Sequence, residues 1–293
     1  MNYIFSHFGK EPSYLKTFLN SILSVDKNAE IFFISDYELK IEKINFINLK
    51  EFKSLMQKFE ELKILTNSTQ IDNNPLWATS ILRVYAIQKV VNYFNLKEFV
   101  HFDTDIIIYE SFDKINSYNI FSRDKINITS HDVDNLVFGY SYFPQNKLLD
   151  ELVNEFDKII LNYKYFQNRL TEDGNGFISE MKMLSIVSKN NPSLFHFLDS
   201  LPYSNKEYLF DPAGYGQFLD GTHRKRGNYI FIRRWVGLHT DVGKELKSKR
   251  IKVKFKNNQP YVLYKNKKYK LASLHIHSKR LGKFLPNNYS SIV

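Results

Sequence analysis

Short apolar segments alternate with amphipathic helical patterns through the first hundred residues, and this alternation constrains the fold more than any other feature. Tyr3–Phe5 predicts a strand, the stretch from about Pro12 to Leu23 predicts a helix, and Ile31–Ile34 predicts a second, buried strand. A third strand near Ile44–Leu49 and a helix over Glu51–Leu65 continue the series. Strands that alternate with helices indicate an α/β fold with a parallel sheet.

A long helix and a buried strand follow. Pro75 suits the first position of a helix, and apolar residues recur at helical spacing from there to Phe94, on a helix that also carries Arg83. The next predicted strand is Glu98–Phe102. The remaining elements of this part of the chain are strands at Ile126–Ser130 and Leu136–Phe143, and helices from about Lys147 to Tyr163 and at Ile178–Ser188.

The pattern changes after Pro202. The aromatic and glycine-rich segment 210–222 predicts a loop, and Ile251–Phe255, Tyr261–Tyr264 and Tyr269–His277 predict strands joined by hairpin turns. We therefore expect an antiparallel β region beside the α/β core. No internal repeat and no long linker forces a second domain.

Composition excludes several classes of protein. Hydrophobic residues make up 43% of the 293 residues and charged residues 25%, which excludes a disordered or collagen-like chain. Because there is no cysteine, disulfides, thiolate metal sites and a cysteine nucleophile are excluded, which leaves oxygen and imidazole chemistry. The first residues lack the order of a signal peptide and no segment is apolar over the length of a membrane span, so we expect a cytoplasmic protein.

The chain is basic, with 41 lysine and arginine residues against 31 acidic ones and a formal net charge of +10. Most of the excess lies after residue 220. A basic excess indicates an anionic partner such as nucleic acid, anionic lipid headgroups or a phosphorylated substrate. The motifs of P-loop, dinucleotide-binding and serine-hydrolase proteins are absent, which argues against those three classes.

The segment FVHFDTDIIIY contains the most informative motif. Asp103 and Asp105 follow a buried apolar strand at its C-terminal end, where ligands bind in open α/β sheets. A regular strand would place both carboxylates on one face, whereas a turn would let one bind a cation directly and the other through water. Hard divalent cations prefer such oxygen ligands and also bind phosphates. The motif predicts a divalent cation site, with a solvated strand end as the structural alternative.

The stretch from Trp77 to Phe112 resembles the nucleotide-sugar-dependent glycosyltransferases of the GT-A fold, and within that fold it resembles glycosyltransferase families 8 and 32. The resemblance rests on the helix with Arg83, the buried strand, the Asp103-x-Asp105 motif and the apolar strand after it. It extends to the N-terminal β–α–β unit, where the family binds the nucleotide, and to the C-terminal segment HIHSK.

The resemblance implies a Rossmann-like mixed sheet flanked by helices, with a C-terminal antiparallel hairpin region. It also implies one catalytic domain over residues 1–293, in which residues 1–130 bind the nucleotide sugar and residues 131–293 bind the acceptor. The implied activity is transfer of a sugar from a nucleoside diphosphate donor, UDP-linked in the most favoured case, to a hydroxyl of a surface glycan such as capsule, lipopolysaccharide or glycoprotein.

The resemblance further implies that Asp103 and Asp105 hold Mn²⁺ or Mg²⁺ against the donor diphosphate, with Thr104 at the donor site and Arg83 near the same charge. A salt bridge on the helix surface is an equally open interpretation of Arg83. The acceptor would be a glycan or a lipid-linked sugar. The basic C-terminal region would then lie near that acceptor or against the anionic inner surface of the membrane.

His275 and His277 stand two residues apart in a predicted strand, which places both on one face. By resemblance His277 is the third metal ligand, with His275 as its substitute, and an imidazole ligand favours Mn²⁺ over Mg²⁺. The resemblance assigns Lys279 to phosphate. Family 8 has a glycine three residues and a lysine six residues after its histidine, and here Arg280 and Lys283 hold those places. The choice between Lys279 and Lys283 stays open.

The segment TEDGNGFISEMKML contains candidates for the catalytic base. GT-A enzymes often carry an acidic residue near the acceptor, and in an inverting enzyme such a carboxylate removes the proton of the acceptor hydroxyl. Glu180 and Asp173 are assigned this role by resemblance. The structural alternatives are an ordinary loop residue for Asp173 and support of the first helical turn for Glu180.

Three further positions complete the candidate site. Asp211 and Gln217 lie in segment 210–222, which resembles a D-x-x-x-x-G-Q-[YF]-L-x-G loop of some bacterial and viral GT-A proteins, and both are assigned to the sugar or acceptor side. Asp36 ends the second strand and suits a contact with the ribose or base. An ordinary turn is the alternative at both places.

Two other functions fit the same residues. A metal-dependent phosphoryl-transfer enzyme or nuclease would use the same acids and the same basic surface and would accept a polyanion. A basic module that binds nucleic acid or membrane lipid would use the lysines and arginines and leave the acidic motif incidental. The basic residues alternate with apolar ones along predicted strands and do not form one long run, which disfavours nucleic acid as a partner.

Overall fold

The computed structural model describes residues 1–67, 76–132, 135–166, 178–204, 206–221 and 240–293, apart from the side chain of residue 67. Its strands are β1 Asn2–His7, β2 Glu30–Ser35, β3 Ile44–Asn48, β4 Phe99–Phe102, β5 Ile106–Ile108, β6 Ile126–Asp132, β7 Asn135–Phe143, β8 Phe195–Phe197, β9 Tyr208–Leu209, β10 Lys252–Lys256, β11 Gln259–Tyr264, β12 Lys267–Leu271 and β13 Ser273–His275. Its α-helices are α1 Leu15–Val25, α2 Lys53–Asn67, α3 Leu76–Phe94, α4 Phe112–Asn116, α5 Asn146–Leu161, α6 Glu180–Asn190, α7 Gly214–Asp220 and α8 Asp241–Lys247.

Seven strands form the central sheet in the order β3-β2-β1-β4-β7-β6-β8. Strands β3, β2, β1 and β4 run parallel, as the β–α–β alternation predicts. β7 runs antiparallel to both β4 and β6, and β8 is parallel to β6, so the sheet is mixed. The C-terminal ends of β1, β2 and β4 meet at one end of the sheet, which is where ligands bind in such folds.

Both faces of the central sheet are buried. Successive side chains of a strand point to opposite faces, so Ile4 packs in a core with α2, α3, α5 and α6, whereas Phe5 packs with Phe18 of α1 and with the C-terminal strands. Burial of apolar surface on both faces is the main favourable contribution to folding. Within the described residues, no helix combines the length and the apolar character needed to cross a bilayer.

The C-terminal strands form a second sheet of four strands in the order β10-β11-β12-β9. Two-residue turns, Asn257-Asn258 and Lys265-Asn266, join its antiparallel strands, and all four turn residues have φ between 44° and 63°. Positive φ at both central residues is what type I′ hairpin turns require. The structure confirms the antiparallel hairpin region expected from the sequence.

The prediction of one strand over Tyr269–His277 is wrong, because β12 and β13 belong to different sheets. The chain crosses between them at Ala272, whose N–H donates to the carbonyl of Leu209 at 2.8 Å. β13 then pairs antiparallel with β5, which places His275 opposite Ile106. This pairing brings the C-terminal histidines next to the acidic motif that precedes β5.

The prediction of a simple loop over residues 210–222 is also wrong, because the segment contains α7. The Asp211 carboxylate accepts hydrogen bonds of 2.8–2.9 Å from the N–H groups of Ala213, Tyr215 and Gly216. These bonds satisfy donors that the first turn of a helix otherwise leaves unpaired. The helix depends on this local hydrogen bonding and has no apolar repeat long enough to be predicted.

Candidate functional site

The acidic motif forms a turn between β4 and β5. The N–H of Asp103 donates to the carbonyl of Gly139 at 2.9 Å, and the N–H of Ile106 donates back to the carbonyl of Asp103 at 3.0 Å. The strand therefore stops at Phe102 and does not continue through the motif. Of the two geometries that the sequence leaves open, the structure shows the turn.

Three side chains converge at this turn: Asp103, Asp105 and His275 each offer one ligand atom, and these atoms lie within 4.8 Å of one another. The Nε2 atom of His275 lies 3.1 Å from Oδ1 of Asp105 and 3.7 Å from Oδ2 of Asp103. The pairing of β5 with β13 fixes the arrangement, because the N–H of Ile276 also donates to the carbonyl of Asp105 at 2.8 Å. We call these three residues the acidic cluster.

Two cations contact the other oxygen of each carboxylate. Arg83 donates to Oδ1 of Asp103, and Lys279 donates to Oδ2 of Asp105. Each carboxylate thus has one oxygen paired with a fixed cation and one oxygen that faces His275. Two carboxylate oxygens and one imidazole nitrogen are a donor set that suits Mn²⁺ and related divalent ions. The acidic cluster fits a divalent cation, with Arg83 and Lys279 outside the ligand set.

The charges around Asp105 support its ionised form. Burial would raise the pKa of the Asp105 carboxyl, but His275 and Lys279 hold it well below its ordinary value. Burial would lower the pKa of Lys279, but Asp105 and the Tyr14 hydroxyl raise it above its ordinary value. The two groups form an ion pair that stays charged across the neutral range, as metal binding by the carboxylate requires.

Glu180 lies in the same charged network and contacts the second terminal nitrogen of Arg83. It is the first residue of α6, after Ser179, whose hydroxyl accepts from the N–H of Lys182 and caps the helix. The Glu180 side chain is only 4% exposed. Burial raises the pKa of Glu180, while Arg83 opposes that rise. The arrangement orients Arg83 toward Asp103 and makes Glu180 a member of an ion-paired triad.

The histidine in the acidic cluster is His275, which the sequence analysis gave only as the substitute for His277. β13 ends at His275, and the N–H of His277 donates to the carbonyl of His275 at 3.2 Å, so the strand period does not reach His277. The two rings lie side by side, with centroids 4.1 Å apart. Burial lowers the pKa of His277 well below its ordinary value. His277 packs beside His275 and is not a member of the cluster.

The structure also separates the two candidate lysines. Lys279 contacts Asp105 and adopts a left-handed backbone with φ of 62°, a conformation that in residues other than glycine is often found at functional sites. The Nζ atom of Lys283 lies 3.2 Å from Oδ1 of Asp220, which also binds Arg280. Lys279 therefore faces the acidic cluster, whereas Lys283 and Arg280 fix the end of α7 to the C-terminal segment.

The structure places Asp211 in a position that supports the fold around the cluster. Its fully buried carboxylate accepts from the N–H of His275 at 2.9 Å, in addition to the three N–H groups at the start of α7. Gly216 packs so close to this point that a Cβ atom there would lie 2.0 Å from the carbonyl oxygen of His275. Burial raises the pKa of Asp211, while its backbone donors oppose the rise. Asp211 holds α7 and β13 together, and its carboxylate oxygens are occupied by these backbone donors.

Gln217, Asp36 and Thr104 lie in different surroundings. Gln217 is buried in α7, and its Oε1 atom has no hydrogen-bond partner among the residues the structure describes. Asp36 accepts from the N–H of Gly9 at 2.8 Å, so it joins the chain after β1 to the end of β2. Thr104 is buried. Asp173 lies outside the described residues.

Sequence reasoning missed three side chains near the cluster. Tyr14 lies beside Lys279, whose Nζ atom is 5.8 Å from the centre of the Tyr14 ring. His7 ends β1, and its Nδ1 atom lies 3.3 Å from the hydroxyl of Tyr37, just beyond β2. Burial and the charge of Lys279 lower the pKa of His7. The signal that could have found His7 and Tyr37 is their place at the ends of neighbouring parallel strands.

The chain is similar to solved structures of glycosyltransferases. The apo form of mouse xyloside xylosyltransferase 1 is 13% identical over 68% of this chain and 84% of that chain, with a TM-score of 0.44. The galactosyltransferase LgtC in complex with donor and acceptor sugar analogues is 12% identical over 73% of this chain and 77% of that chain, with a TM-score of 0.43. The apo form of GlyE from Streptococcus pneumoniae TIGR4 is 12% identical over 68% of this chain and 45% of that chain, with a TM-score of 0.40. No protein-family model and no curated protein matches the chain.

Proposed function

We propose that the protein is a metal-dependent glycosyltransferase that moves a sugar from a nucleoside diphosphate donor to a hydroxyl of a glycan. The observation that carries this proposal is the acidic cluster, in which Asp103, Asp105 and His275 turn one ligand atom each toward a common point at the end of parallel strands. Each carboxylate also contacts one cation that is not part of the cluster: Arg83 contacts Asp103, and Lys279 contacts Asp105. The sequence resemblance around Asp103-x-Asp105 supports the same function.

The charge balance of the site explains why donor binding would depend on a metal. Three carboxylates, Asp103, Asp105 and Glu180, face the two cations Arg83 and Lys279, which leaves one excess negative charge when the imidazole is neutral. A divalent cation would change that excess to one positive charge. A diphosphate is an anion, so the loaded site would attract it, whereas the site without metal would repel it.

Each side chain has a distinct proposed role. Asp103, Asp105 and His275 would hold Mn²⁺, which the imidazole favours over Mg²⁺. When bound, the metal would neutralise charge on the departing nucleoside diphosphate. Lys279, positioned by Tyr14 and by its left-handed backbone, would donate a hydrogen bond to a phosphate oxygen.

The ends of β1 and β2 supply a place for the nucleoside. His7 and Tyr37 contact each other there, and Asp36 lies beside Tyr37 with one oxygen bound to Gly9. Carboxylate and hydroxyl groups at strand ends can accept and donate hydrogen bonds to a ribose or base. We propose that these residues bind the nucleoside of a UDP-linked donor, with residues 1–130 forming most of the donor side and residues 131–293 most of the acceptor side.

The candidates for the catalytic base are residues other than the members of the acidic cluster. Glu180 is ion-paired with Arg83, which favours a positioning role over proton removal. Asp173 stays a prediction for the catalytic base. Asp211 and Gln217 stay predictions for the sugar or acceptor side, although the backbone donors around Asp211 favour a positioning role for it as well. The acceptor would be a surface glycan, free or lipid-linked. We further propose a cytoplasmic location with peripheral contact at the anionic inner membrane.

Calorimetric titration tests the proposal. UDP and GDP are each titrated with and without Mn²⁺ into the wild type, the D103A/D105A variant and an E42Q/E151Q control that removes two exposed carboxylates elsewhere. We expect Mn²⁺-dependent binding of one nucleotide by the wild type and the control and its loss in D103A/D105A. Binding that is equal with and without metal, or that D103A/D105A retains, would contradict the proposed donor site. Absence of binding for both nucleotides would favour the phosphoryl-transfer or polyanion-binding alternatives.

A further inference from the structure

One face of the C-terminal sheet carries a row of basic and aromatic side chains. In the register of the sheet, Lys254 of β10 lies opposite Tyr261 of β11, which lies opposite Lys270 of β12, which in turn lies opposite Tyr208 of β9. Because side chains alternate between faces, the residues two positions away share this face. They are Lys252, Lys256, Gln259, Leu263 and Lys268. We call this surface the lysine face.

The opposite face of the same sheet packs against the core. Val262, Tyr269 and Leu271 point that way and are buried. The lysine face is turned outward, and four of its five lysines are exposed, with Lys270 partly buried. Glu207 borders it and pairs with Lys270 at 2.6 Å. The result is a surface of net positive charge on a rigid, two-sided sheet.

Protection of a sheet edge explains only part of this charge. Lysines on an edge strand commonly prevent pairing with other chains, and β10 is such a strand. Lys270, however, lies where β12 is paired on both sides, by β11 and β9, whereas Lys268 lies before the segment that β9 covers. Edge protection therefore does not account for the charge of Lys270.

The lysine face also forms a concave surface of a size that suits a ligand. A cavity of about 670 Å³ is lined by Lys256, Gln259, Tyr261, Lys268 and Lys270, together with neighbouring residues. The Nζ atom of Lys268 lies 5.3 Å from the centre of the Tyr261 ring, so charge and ring face the same space. Amide groups can bind hydroxyls, an aromatic ring can pack on the apolar side of a sugar, and lysines bind carboxylates or phosphates.

The same features distinguish among anionic partners. A membrane surface is flat and is usually contacted by exposed apolar side chains as well as by lysines, whereas this surface is concave and its apolar Leu263 is only partly exposed. Single-stranded nucleic acid is bound on several aromatic side chains in succession. On the lysine face Tyr208 is buried and Tyr261 is the aromatic side chain that lines the cavity among the residues described.

We propose that the lysine face binds an acidic glycan, that is, a carboxylated or phosphorylated oligosaccharide, as the acceptor of the transfer reaction. As an acceptor site, it rests on the proposed function. β12 leads directly into β13, so Lys270 is five residues from His275 and, at about 3.3–3.6 Å per residue, lies at most roughly 18 Å from it. An acidic glycan bound at the lysine face could extend from there to the acidic cluster.

Binding of defined oligosaccharides tests the proposal without any donor or metal. Hyaluronan octasaccharide, which carries a carboxylate on alternate sugars, is compared with neutral maltooctaose by calorimetry. The test variant is K256Q/K268Q/K270Q. The matched control is K27Q/K50Q/K147Q, which removes the same charge at exposed positions outside this sheet. Thermal unfolding of each variant shows whether the fold is retained.

We expect the acidic octasaccharide to bind more tightly than the neutral one, and the test variant to weaken that binding by about tenfold or more, because each lysine supplies a charge-assisted hydrogen bond. The control variant should bind it as the wild type does. Equal affinity for both oligosaccharides, or equal loss in the two lysine variants, would overturn the proposal. Tighter binding of phosphatidylglycerol vesicles or of single-stranded DNA, abolished by the test variant, would also overturn it. The nucleotide titration decides the donor site separately, so the two proposals fail independently.

Discussion

The acidic cluster and the lysine face use charged side chains in opposite surroundings. In the cluster, Asp105 is buried and each of its oxygens has a specific cationic or imidazole partner. On the lysine face, Lys252 and Lys254 are exposed to solvent and lie on an edge strand. A buried charge is tolerated only with a partner at a fixed position, whereas an exposed charge is screened by water and salt. Substitutions in and around the cluster should therefore change stability or metal affinity strongly, and substitutions on the lysine face should change stability by small, additive amounts.

The largest effect on stability is expected for Arg83→Met. Its guanidinium contacts both Asp103 and Glu180, and the Glu180 side chain is only 4% exposed, so loss of Arg83 leaves a buried carboxylate without its partner. Loss of one member of a buried ion pair costs about 3–5 kcal/mol. Chemical denaturation measures the change. The double variant R83M/E180Q should recover part of the lost stability. If Arg83→Met cost no more stability than the substitution of a surface lysine, the contrast between buried and exposed charges would be wrong.

The next largest effect is expected for metal affinity in His275→Gln. Because the Nε2 atom of His275 faces both carboxylates, its removal should weaken Mn²⁺ binding by about 100-fold. His277→Gln removes the neighbouring imidazole, which lies outside the cluster, and should change Mn²⁺ affinity several times less. Titration of Mn²⁺ followed by its paramagnetic resonance signal compares the two variants. A larger loss in His277→Gln would show that the other histidine is the ligand.

A smaller effect is expected for Asp220→Asn. Burial would raise the pKa of Asp220, but hydrogen bonds from Ser278 and Lys283 and the charge of Arg280 hold it below its ordinary value. A carboxyl with a lowered folded-state pKa contributes stability that is fully present above about pH 3.9 and is lost as the pH falls through the folded value. Because Arg280 and Lys283 are half exposed, we expect a loss of about 1 kcal/mol at pH 7.

Denaturation of the wild type and of Asp220→Asn at several pH values checks this prediction. The difference between them should be constant near neutral pH and should shrink in acid. A difference that grows as the pH falls would contradict the assigned pairing. KM for the donor provides a second measurement, since Asp220 also positions the segment that carries Lys279.

The smallest effect is expected for Lys254→Gln. The side chain is exposed on an edge strand, so its replacement should change the free energy of unfolding by less than about 0.5 kcal/mol. Raised salt should reduce any effect further. Thermal unfolding at low and at high salt measures it. A large loss of stability would show that the lysine face is a structural feature and would remove the contrast with the cluster.

Local sequence patterns predict much of the fold and part of the site. The β–α–β alternation, the C-terminal hairpins and the position of Asp103 and Asp105 at the end of a buried strand all follow from residues close together in the chain. For these elements the period of apolar residues or the type of turn residue carries the information. His275 and Lys279 are candidates because two histidines share a predicted strand face and because the family resemblance implies a histidine ligand and a phosphate-binding lysine there.

The parts that sequence reasoning missed depend on contacts between distant segments. Arg83 and Glu180 are separated by 97 residues, and no local pattern indicates that they meet. The choice of His275 over His277 depends on where β13 ends, which its pairing with β5 decides. Tertiary pairing of this kind ends the strand before His277, so the period that predicts a shared face for the two histidines does not extend to it. The preference for His277 itself follows from the family resemblance.

The pairing of β5 with β13 also sets an order of events during synthesis of the chain. Lys279 follows Asp105 by 174 residues. The two carboxylates therefore leave the ribosome long before the imidazole that completes the cluster and the ammonium group that pairs with Asp105. Contacts between segments so far apart form late, because the intervening chain must first be ordered. A nascent chain that has not yet released β13 therefore lacks the complete acidic cluster, and the donor binding proposed for it would begin only after the C-terminal strands have joined the fold.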